Sequence, residues 1–297
     1  LLFNYMITIF TPTYNRARTI PRLFESLQKL DNKNFEWLVI DDGSIDNTEE
    51  LIYQYIEKET SFPIRYLKTS NGGKPRAINL GATLAKGDIF FIVDSDDWLP
   101  ADSLDTIWYY YTQIKDDPSF AGVAGARLLE GKISGGHLKS EYIDATNLER
   151  LKFKILGERA EVFKTDILKK YPFPNFEGEN FIPEAASWNA MGRDGLKLRW
   201  FDKSIYSMEY QDTGITMNLE DHYKKNPKNY LYYISLEIKN PIHPWWRKCI
   251  YKGKCISLIR HSTISKKKIL KNLQISNFGY YFTLIIYQIH HFIRAKQ

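Results

Sequence analysis

Three carboxylates crowd into four positions at Asp94-Ser95-Asp96-Asp97, directly after the apolar run Ile89-Phe90-Phe91-Ile92-Val93. Like charges that close repel one another, so the cluster predicts a bound cation. Oxygen ligands suit Mg2+ or Mn2+, hard ions that keep open positions for substrate phosphates. An acidic turn capping a helix that begins near Ala101 is the competing reading, although a cap needs one aspartate and three are present. The apolar run has the pattern of a strand buried on both faces. The acids therefore fall at a strand's carboxyl end, where open α/β sheets bind their ligands.

The elements upstream repeat that arrangement. Tyr5 to Phe10 predicts a strand, with Thr11-Pro12-Thr13-Tyr14-Asn15-Arg16 as a loop because Pro12 breaks the ladder. Ile20, Leu23, Phe24 and Leu27 then recur at helical spacing, with Thr19 as cap and Pro21 in the first turn. Phe35 to Ile40 predicts a second strand, ending in Asp41-Asp42-Gly43-Ser44 and followed by a helix carrying Leu51, Ile52, Tyr55 and Ile56. Ile64 to Leu67 predicts a third, followed by Asn71-Gly72-Gly73-Lys74-Pro75 and a helix carrying Ile78, Ala82 and Ala85. Strand alternating with helix calls for a mainly parallel sheet with helices on both faces. Its loops share one edge, so hydroxyls, an aromatic ring, carboxylates and a lysine should converge on one crevice.

Further on, a helix through Leu104, Ile107, Trp108, Tyr111 and Ile114 precedes a strand over Phe120 to Leu129. Gly131 to Gly136 reads as a flexible loop able to approach a ligand or act as a lid. Glu161-Val162-Phe163 begins another unit, Ile182 to Met191 reads as helix, and Leu198 to Phe201 and Ser204 to Tyr210 read as two short strands.

Four blocks, ITIFTPTYNR, WLVIDDGSIDNT, NGGKPRAINLGA and GDIFFIVDSDD, together resemble the nucleotide-sugar-binding half of family 2 glycosyltransferases of the GT-A fold. The resemblance covers roughly the first hundred residues in order and spacing. It implies a Rossmann-like α/β domain whose residues 1–100 hold the donor and 101–220 the acceptor, with 221–297 as a helical C-terminal extension. It also implies an inverting enzyme that uses a nucleoside-diphosphate sugar, with UDP as the expected nucleotide, and Mn2+ or Mg2+.

Beside the resemblance, each block has a physical reading. Tyr14 offers a flat face on which a base could stack, or it covers a helix end, and Thr11 and Pro12 would shape the same wall. Asp41 or Asp42 could accept a hydrogen bond from an imide N–H. The resemblance favours Asp41 for the base and leaves Asp42 near the ribose or as a helix cap. Lys74 would meet the diphosphate after its flexible glycines, or stand solvated. Arg16 and Ser95 complete the donor-contacting set. By the resemblance Asp96 is the direct metal ligand, Asp94 faces the ribose or the ion, and Asp97 ranks behind them.

Transfer also needs a base for the acceptor hydroxyl. Related enzymes place an acidic pair before a helix at this distance, which points to Glu184, although Ala185 follows where the pair would have its second acid. Glu179 is the runner-up, and an N-terminal helix charge is the structural alternative for either. The Gln-x-x-Arg-Trp motif of processive members is absent: Arg199-Trp200 lacks the glutamine. That favours single addition. The competing functions are a sugar-1-phosphate nucleotidyltransferase, which would carry a Gly-rich phosphate loop after the first strand, and a non-catalytic subunit supporting another transferase.

At 297 residues with 43% apolar and 26% charged residues, the chain can bury a sizeable core. Two cysteines, Cys249 and Cys255, are too few for a disulfide scaffold and predict a reducing, cytoplasmic setting. No secretory leader is expected. The net charge of +6 and the 15% aromatic content concentrate near the C-terminus. There, amphipathic helices rich in Trp, Tyr and Lys suit the inner membrane face or another copy of the chain. No nucleic-acid module is recognised. The expected acceptor is a glycan, lipid-linked or on a glycoprotein, within bacterial surface polysaccharide or glycoconjugate assembly.

Overall fold

The computed structural model of the chain describes residues 6–59, 61–209 and 218–294. Strands β1 (Ile7–Thr13), β2 (Phe35–Asp41), β3 (Ile64–Lys68) and β4 (Ile89–Ile92) lie in the order β3-β2-β1-β4, all parallel. Every residue of β2 and β4 is buried, as their unbroken apolar runs require. Helices α1 (Ile20–Gln28), α2 (Thr48–Lys58) and α4 (Ser103–Tyr111) share one core with this sheet. There the Phe24 ring stacks on Tyr55 at 3.8 Å. Helix α3 (Lys74–Leu84) brings Gly81 so close to Phe10 that a Cβ would stand 2.2 Å from the ring.

β1 runs three residues further than Pro12 suggested. Phe10 accepts from Val93 N at 2.8 Å, so alternate residues of β1 face β4, which pairs with it only as far as Phe10↔Ile92. Pro12 falls two residues on, where no β4 partner asks for its missing N–H, while pairing to β2 continues through Thr13↔Asp41. The predicted strand ends at Tyr5 and Tyr210 lie outside the described residues.

Beyond β4 the sheet is mixed. Strand β8 (Arg159–Lys164) lies antiparallel between β4 and β5 (Phe120–Leu129), and β9 (Lys197–Met208) runs parallel to β5. β8 is reached from β5 without a crossover helix between them, the connection an antiparallel neighbour permits. β9 is one strand, not two. Its pairing steps from Ala124↔Trp200 to Ala126↔Ser204, so a bulge absorbs the extra residues. The expected lid at Gly131 to Gly136 contains β6 (Lys132–Ile133), hairpinned onto β5, and β7 (Tyr142–Ala145) pairs with β9. Gly135 is pinned against Gly157, whose N would lie 2.2 Å from an added Cβ. After β8 come α5 (Thr165–Lys170) and α6 (Ala185–Arg193), which starts three residues later than expected because Pro183 keeps Ile182 out of helical geometry.

The chain divides into two compact units. One runs to Pro172 and resumes at Ser187. The other comprises Phe173–Ala186 and helices α7 (Leu219–Lys225), α8 (Pro227–Glu237), α9 (Trp245–Ile259), α10 (Lys266–Leu273) and α11 (Asn277–Arg294). This second unit has its own core of Tyr230, Leu231, Ile234, Cys255, Ile256 and Ile259, among others. Segment 173–186 joins it because the Asn226 Oδ1 accepts from Asn180 N at 2.7 Å and Phe181 N at 3.0 Å.

Candidate active site

The carboxyl ends of β1, β2 and β4 and the start of α3 bring together charged side chains that are distant in sequence. Lys74 Nζ lies 2.6 Å from Asp94 Oδ1, and Arg16 Nη1 lies 3.4 Å from Asp96 Oδ2. A second arginine, Arg22, donates to the Asp96 carbonyl, lies over the Trp98 ring at 4.0 Å and pairs with Glu209 at 2.7 Å. Burial pushes the Asp94 carboxyl up, but Lys74 and then Arg127 and Arg16 outweigh it and hold it below the usual carboxylate range. Asp94 is therefore ionised, and both Asp94 and Asp96 are paired with cations.

The third acid is turned to another task. Asp97 N closes the turn onto the Asp94 carbonyl at 3.1 Å, with Ser95 buried inside it. Tyr206 Oη on β9 donates to Asp97 Oδ2 at 2.7 Å and accepts from Asp94 N at 3.0 Å. Burial, then the negative charge of Asp94, pushes the Asp97 carboxyl up to about 7. Arg127 on β5 lies over the Tyr206 ring at 4.2 Å. Tyr206 thus braces the whole acidic turn from below.

The two acids ending β2 hold neighbouring loops. Asp41 is fully buried, accepting from Ser44 N at 2.8 Å and Tyr66 Oη at 2.6 Å, so the carboxylate expected to meet a base has no exposed surface in this arrangement. Gly43 makes its turn possible with φ at +87°. Asp42 accepts from Gly72 N and Gly73 N, each at 2.7 Å, and so ties the glycine loop before Lys74 to the end of β2. Burial raises its carboxyl against those two bonds and the nearby Arg76. Thr11 also faces inward, accepting from Trp37 Nε1 at 3.0 Å, so it shapes the core and not the wall. Pro12 is half-buried. Tyr14 stands 46% exposed on a loop fixed by Asn15 N to Ser44 Oγ at 2.8 Å and Arg16 N to Thr48 Oγ1 at 3.0 Å.

A family description matches residues 8–164, more than half of the chain: Glycosyl transferase family 2. The chain belongs to that family. Among its relatives, the glycosyltransferase GlyG of Streptococcus pneumoniae is 33% identical over 112 residues, 37% of this chain and 36% of GlyG. The poly(ribitol-phosphate) beta-N-acetylglucosaminyltransferase TarS of Staphylococcus aureus is 33% identical over 99 residues, 33% of this chain and 17% of TarS. The matched segment is thus about a third or less of the length of these curated relatives. The fold extends further. The crystal structure of S. aureus TarS 1-349 superposes with a TM-score of 0.64 at 18% identity, covering 98% of this chain and 92% of that one. The mannosyltransferase PcManGT from Pyrobaculum calidifontis, in complex with GDP-Man and Mn2+, gives 0.56 at 16% identity, covering 96% and 74%. The α/β architecture of this family 2 chain is accordingly of the GT-A type.

Among the described residues no three acidic, imidazole or thiol side chains converge as a ready-made metal cage. The donor set nonetheless fits Mn2+ or Mg2+, which take one or two carboxylates and complete their shell with water and phosphate oxygens. Asp94 and Asp96, with partly exposed side chains, would supply those two, whereas Asp97 is committed to Tyr206. The expected base candidates belong to the other unit. Both Glu179 oxygens are taken, accepting from Lys228 N at 2.8 Å and Asn229 N at 2.7 Å as the cap of α8. Glu184 stands at the entry to α6, in a turn closed by Ala186 N on the Pro183 carbonyl at 2.9 Å.

Tyr206, Arg127 and Arg22 escaped the sequence reading. A cation inside the apolar run Phe120 to Leu129 was a usable signal for Arg127. Tyr206 gave none, because a tyrosine in a strand is ordinary.

Proposed function

We propose that this chain moves a sugar from a nucleoside-diphosphate sugar, UDP-linked, to an acceptor hydroxyl by inverting displacement with Mn2+ or Mg2+. The observation that carries the reading is the cation-paired Asp94 and Asp96 at the end of β4, beside Lys74 and Arg16. A diphosphate needs cations, and a divalent ion needs acidic oxygens. Donor binding lets Lys74 and Arg16 exchange carboxylates for phosphate oxygens, freeing Asp94 and Asp96 to hold the ion. When bound, that ion supplies charge neutralisation for the departing diphosphate.

The remaining steps belong to the chain's own side chains. Tyr14 stacks on the base, an interaction on the order of 1–3 kcal/mol in nucleic-acid systems. Asp42, slightly exposed where Asp41 is not, takes the imide N–H on a lone pair beyond those that hold Gly72 N and Gly73 N. Glu184 is the base, on the strength of the sequence reading, with Glu179 behind it because its carboxylate caps α8. The acceptor oxygen gives its proton to the carboxylate and bonds the anomeric carbon as the carbon–phosphate-oxygen bond breaks, its electron pair leaving with the diphosphate. UDP as the nucleotide is supported by the solved TarS complex with UDP-GlcNAc, TM-score 0.63. The poly(ribitol-phosphate) for which TarS is named supports a role in surface polysaccharide or glycoconjugate assembly.

Calorimetric titration of the purified chain with UDP, with and without Mn2+, tests this. Tight binding that requires Mn2+ and is lost in Asp96→Asn is expected. Metal-independent binding unchanged by Asp96→Asn refutes the metal assignment, and no binding of any nucleoside diphosphate refutes the transferase.

A further inference from the structure

The charge of the chain is segregated. After Glu237 there is no aspartate or glutamate, while twelve lysines and arginines follow. Since the whole carries +6, the first 237 residues are net acidic by six charges. The excess cation lies entirely on the second helical unit.

That unit also presents an uncovered apolar face. Helix α11 packs against α9 through Thr283 and Tyr287, where an added Cβ on Gly253 would stand 2.2 Å from the Thr283 carbonyl and 2.5 Å from the Tyr287 Cβ. On the opposite side Phe278, Phe282, Ile285, Ile289 and Phe292 follow one another at four- and three-residue steps with Tyr281 beside them, and all are exposed, Phe278 by 80% and Phe292 by 61%. A stripe of aromatic and branched side chains this continuous has no soluble rationale on its own. The basic start of α10 adjoins it: Lys266 Nζ lies 4.9 Å from the Tyr281 ring and 4.8 Å from that of Tyr280. Lys267, Lys268 and Lys271 on the same helix are exposed, as are Trp245 and Trp246 at the start of α9.

We infer that the exposed face of α11 lies in the surface of an anionic lipid bilayer, with the lysines of α10 at its headgroups. Four observations select this occupant. No described helix is long and apolar enough to cross a membrane, so α11 lies on the surface. The flanking charge is of one sign and complements anionic lipid, with each lysine strengthening partition about fivefold. A second copy on the same face would bring two sets of uncompensated cations together, which repel. Exposed tryptophans suit the headgroup level.

Flotation of the full chain with vesicles of phosphatidylcholine alone, and of phosphatidylcholine mixed with phosphatidylglycerol, tests the inference. Binding only to the mixed vesicles, released by high salt, is expected. Neutralising Lys266, Lys267 and Lys268 together to glutamine should weaken partition on the order of a hundredfold. Ile285→Ser with Ile289→Ser should abolish it and leave UDP binding unchanged. The inference is overturned if the unaltered chain ignores phosphatidylglycerol vesicles at low salt. It is equally overturned if light scattering shows a dimer that the two serine substitutions dissociate while vesicle binding is absent.

Discussion

Replacing Tyr206 by phenylalanine removes one oxygen atom that serves two partners beneath the acidic turn. Asp94 N loses its acceptor and Asp97 Oδ2 its donor, both in buried surroundings. An orphaned buried N–H costs roughly 1–3 kcal/mol, and a bond to an ionised group contributes roughly 1.5–3 kcal/mol. The second part depends on pH. Burial and the charge of Asp94 raise the Asp97 carboxyl to about 7, and the Tyr206 hydroxyl is among the groups that oppose the rise. An aspartate in the unfolded chain titrates near 4, so between about 4 and 7 the folded state holds a proton that the unfolded state has lost. Stability therefore falls as pH rises through that window, and Tyr206 limits the fall. Without the hydroxyl the folded carboxyl shifts higher and the fall continues past pH 7. Urea unfolding in EDTA should show Tyr206→Phe less stable by roughly 1–3 kcal/mol at pH 6 and by about 3–5 kcal/mol at pH 8.5. Because Asp94 is then held more loosely, the affinity for UDP with Mn2+ should fall as well. A deficit of equal size at both pH values refutes the titration argument. Unaltered stability and unaltered UDP affinity together refute the brace.

Further outcomes follow from single contacts. Asp42→Ala frees Gly72 N and Gly73 N from their 2.7 Å bonds, and calorimetry should show UDP binding weakened about tenfold or more, while the far-UV spectrum is unchanged. Gly81→Val drives side-chain carbon into the Phe10 ring, and a loss of roughly 1–3 kcal/mol should appear in urea melts. Glu179→Ala uncaps α8 and should cost about 0.5–2 kcal/mol with turnover retained, whereas Glu184→Gln should lose roughly 100- to 10,000-fold in kcat. Turnover retained in Glu184→Gln and lost in Glu179→Ala would reverse the assignment of the base.

How far the sequence could be read depended on whether a signal was local. The parallel order β3-β2-β1-β4 followed from buried apolar runs alternating with helical spacing, each a pattern confined to a dozen residues. The acidic turn after β4 was legible for the same reason. Orientation within a loop was not. Thr11 and Asp41 are the residue types a nucleotide site would use, yet one turns to Trp37 and the other to Ser44 and Tyr66, and only pairing across strands decides that. Pro12 misled because a missing N–H matters only where a partner strand reaches, and β4 stops short. The bulge in β9 and the antiparallel insertion of β8 are likewise properties of strand pairing, invisible to periodicity along one segment.

The contrast between Asp96 and Asp97 carries the same lesson into function. Two adjacent aspartates look interchangeable in the sequence, and the difference between them is written 109 residues away, in the hydroxyl of Tyr206. A short acidic motif can hold a cation only if its other carboxylate is kept out of the way, for three free charges in one turn would compete for every lysine and arginine near them. The chain meets that condition by raising one carboxyl through burial and pairing the other two with Lys74 and Arg16. Strand β9 thereby sets the charge of the turn after β4, and a substitution on β9 is expected to register as a defect in nucleotide binding.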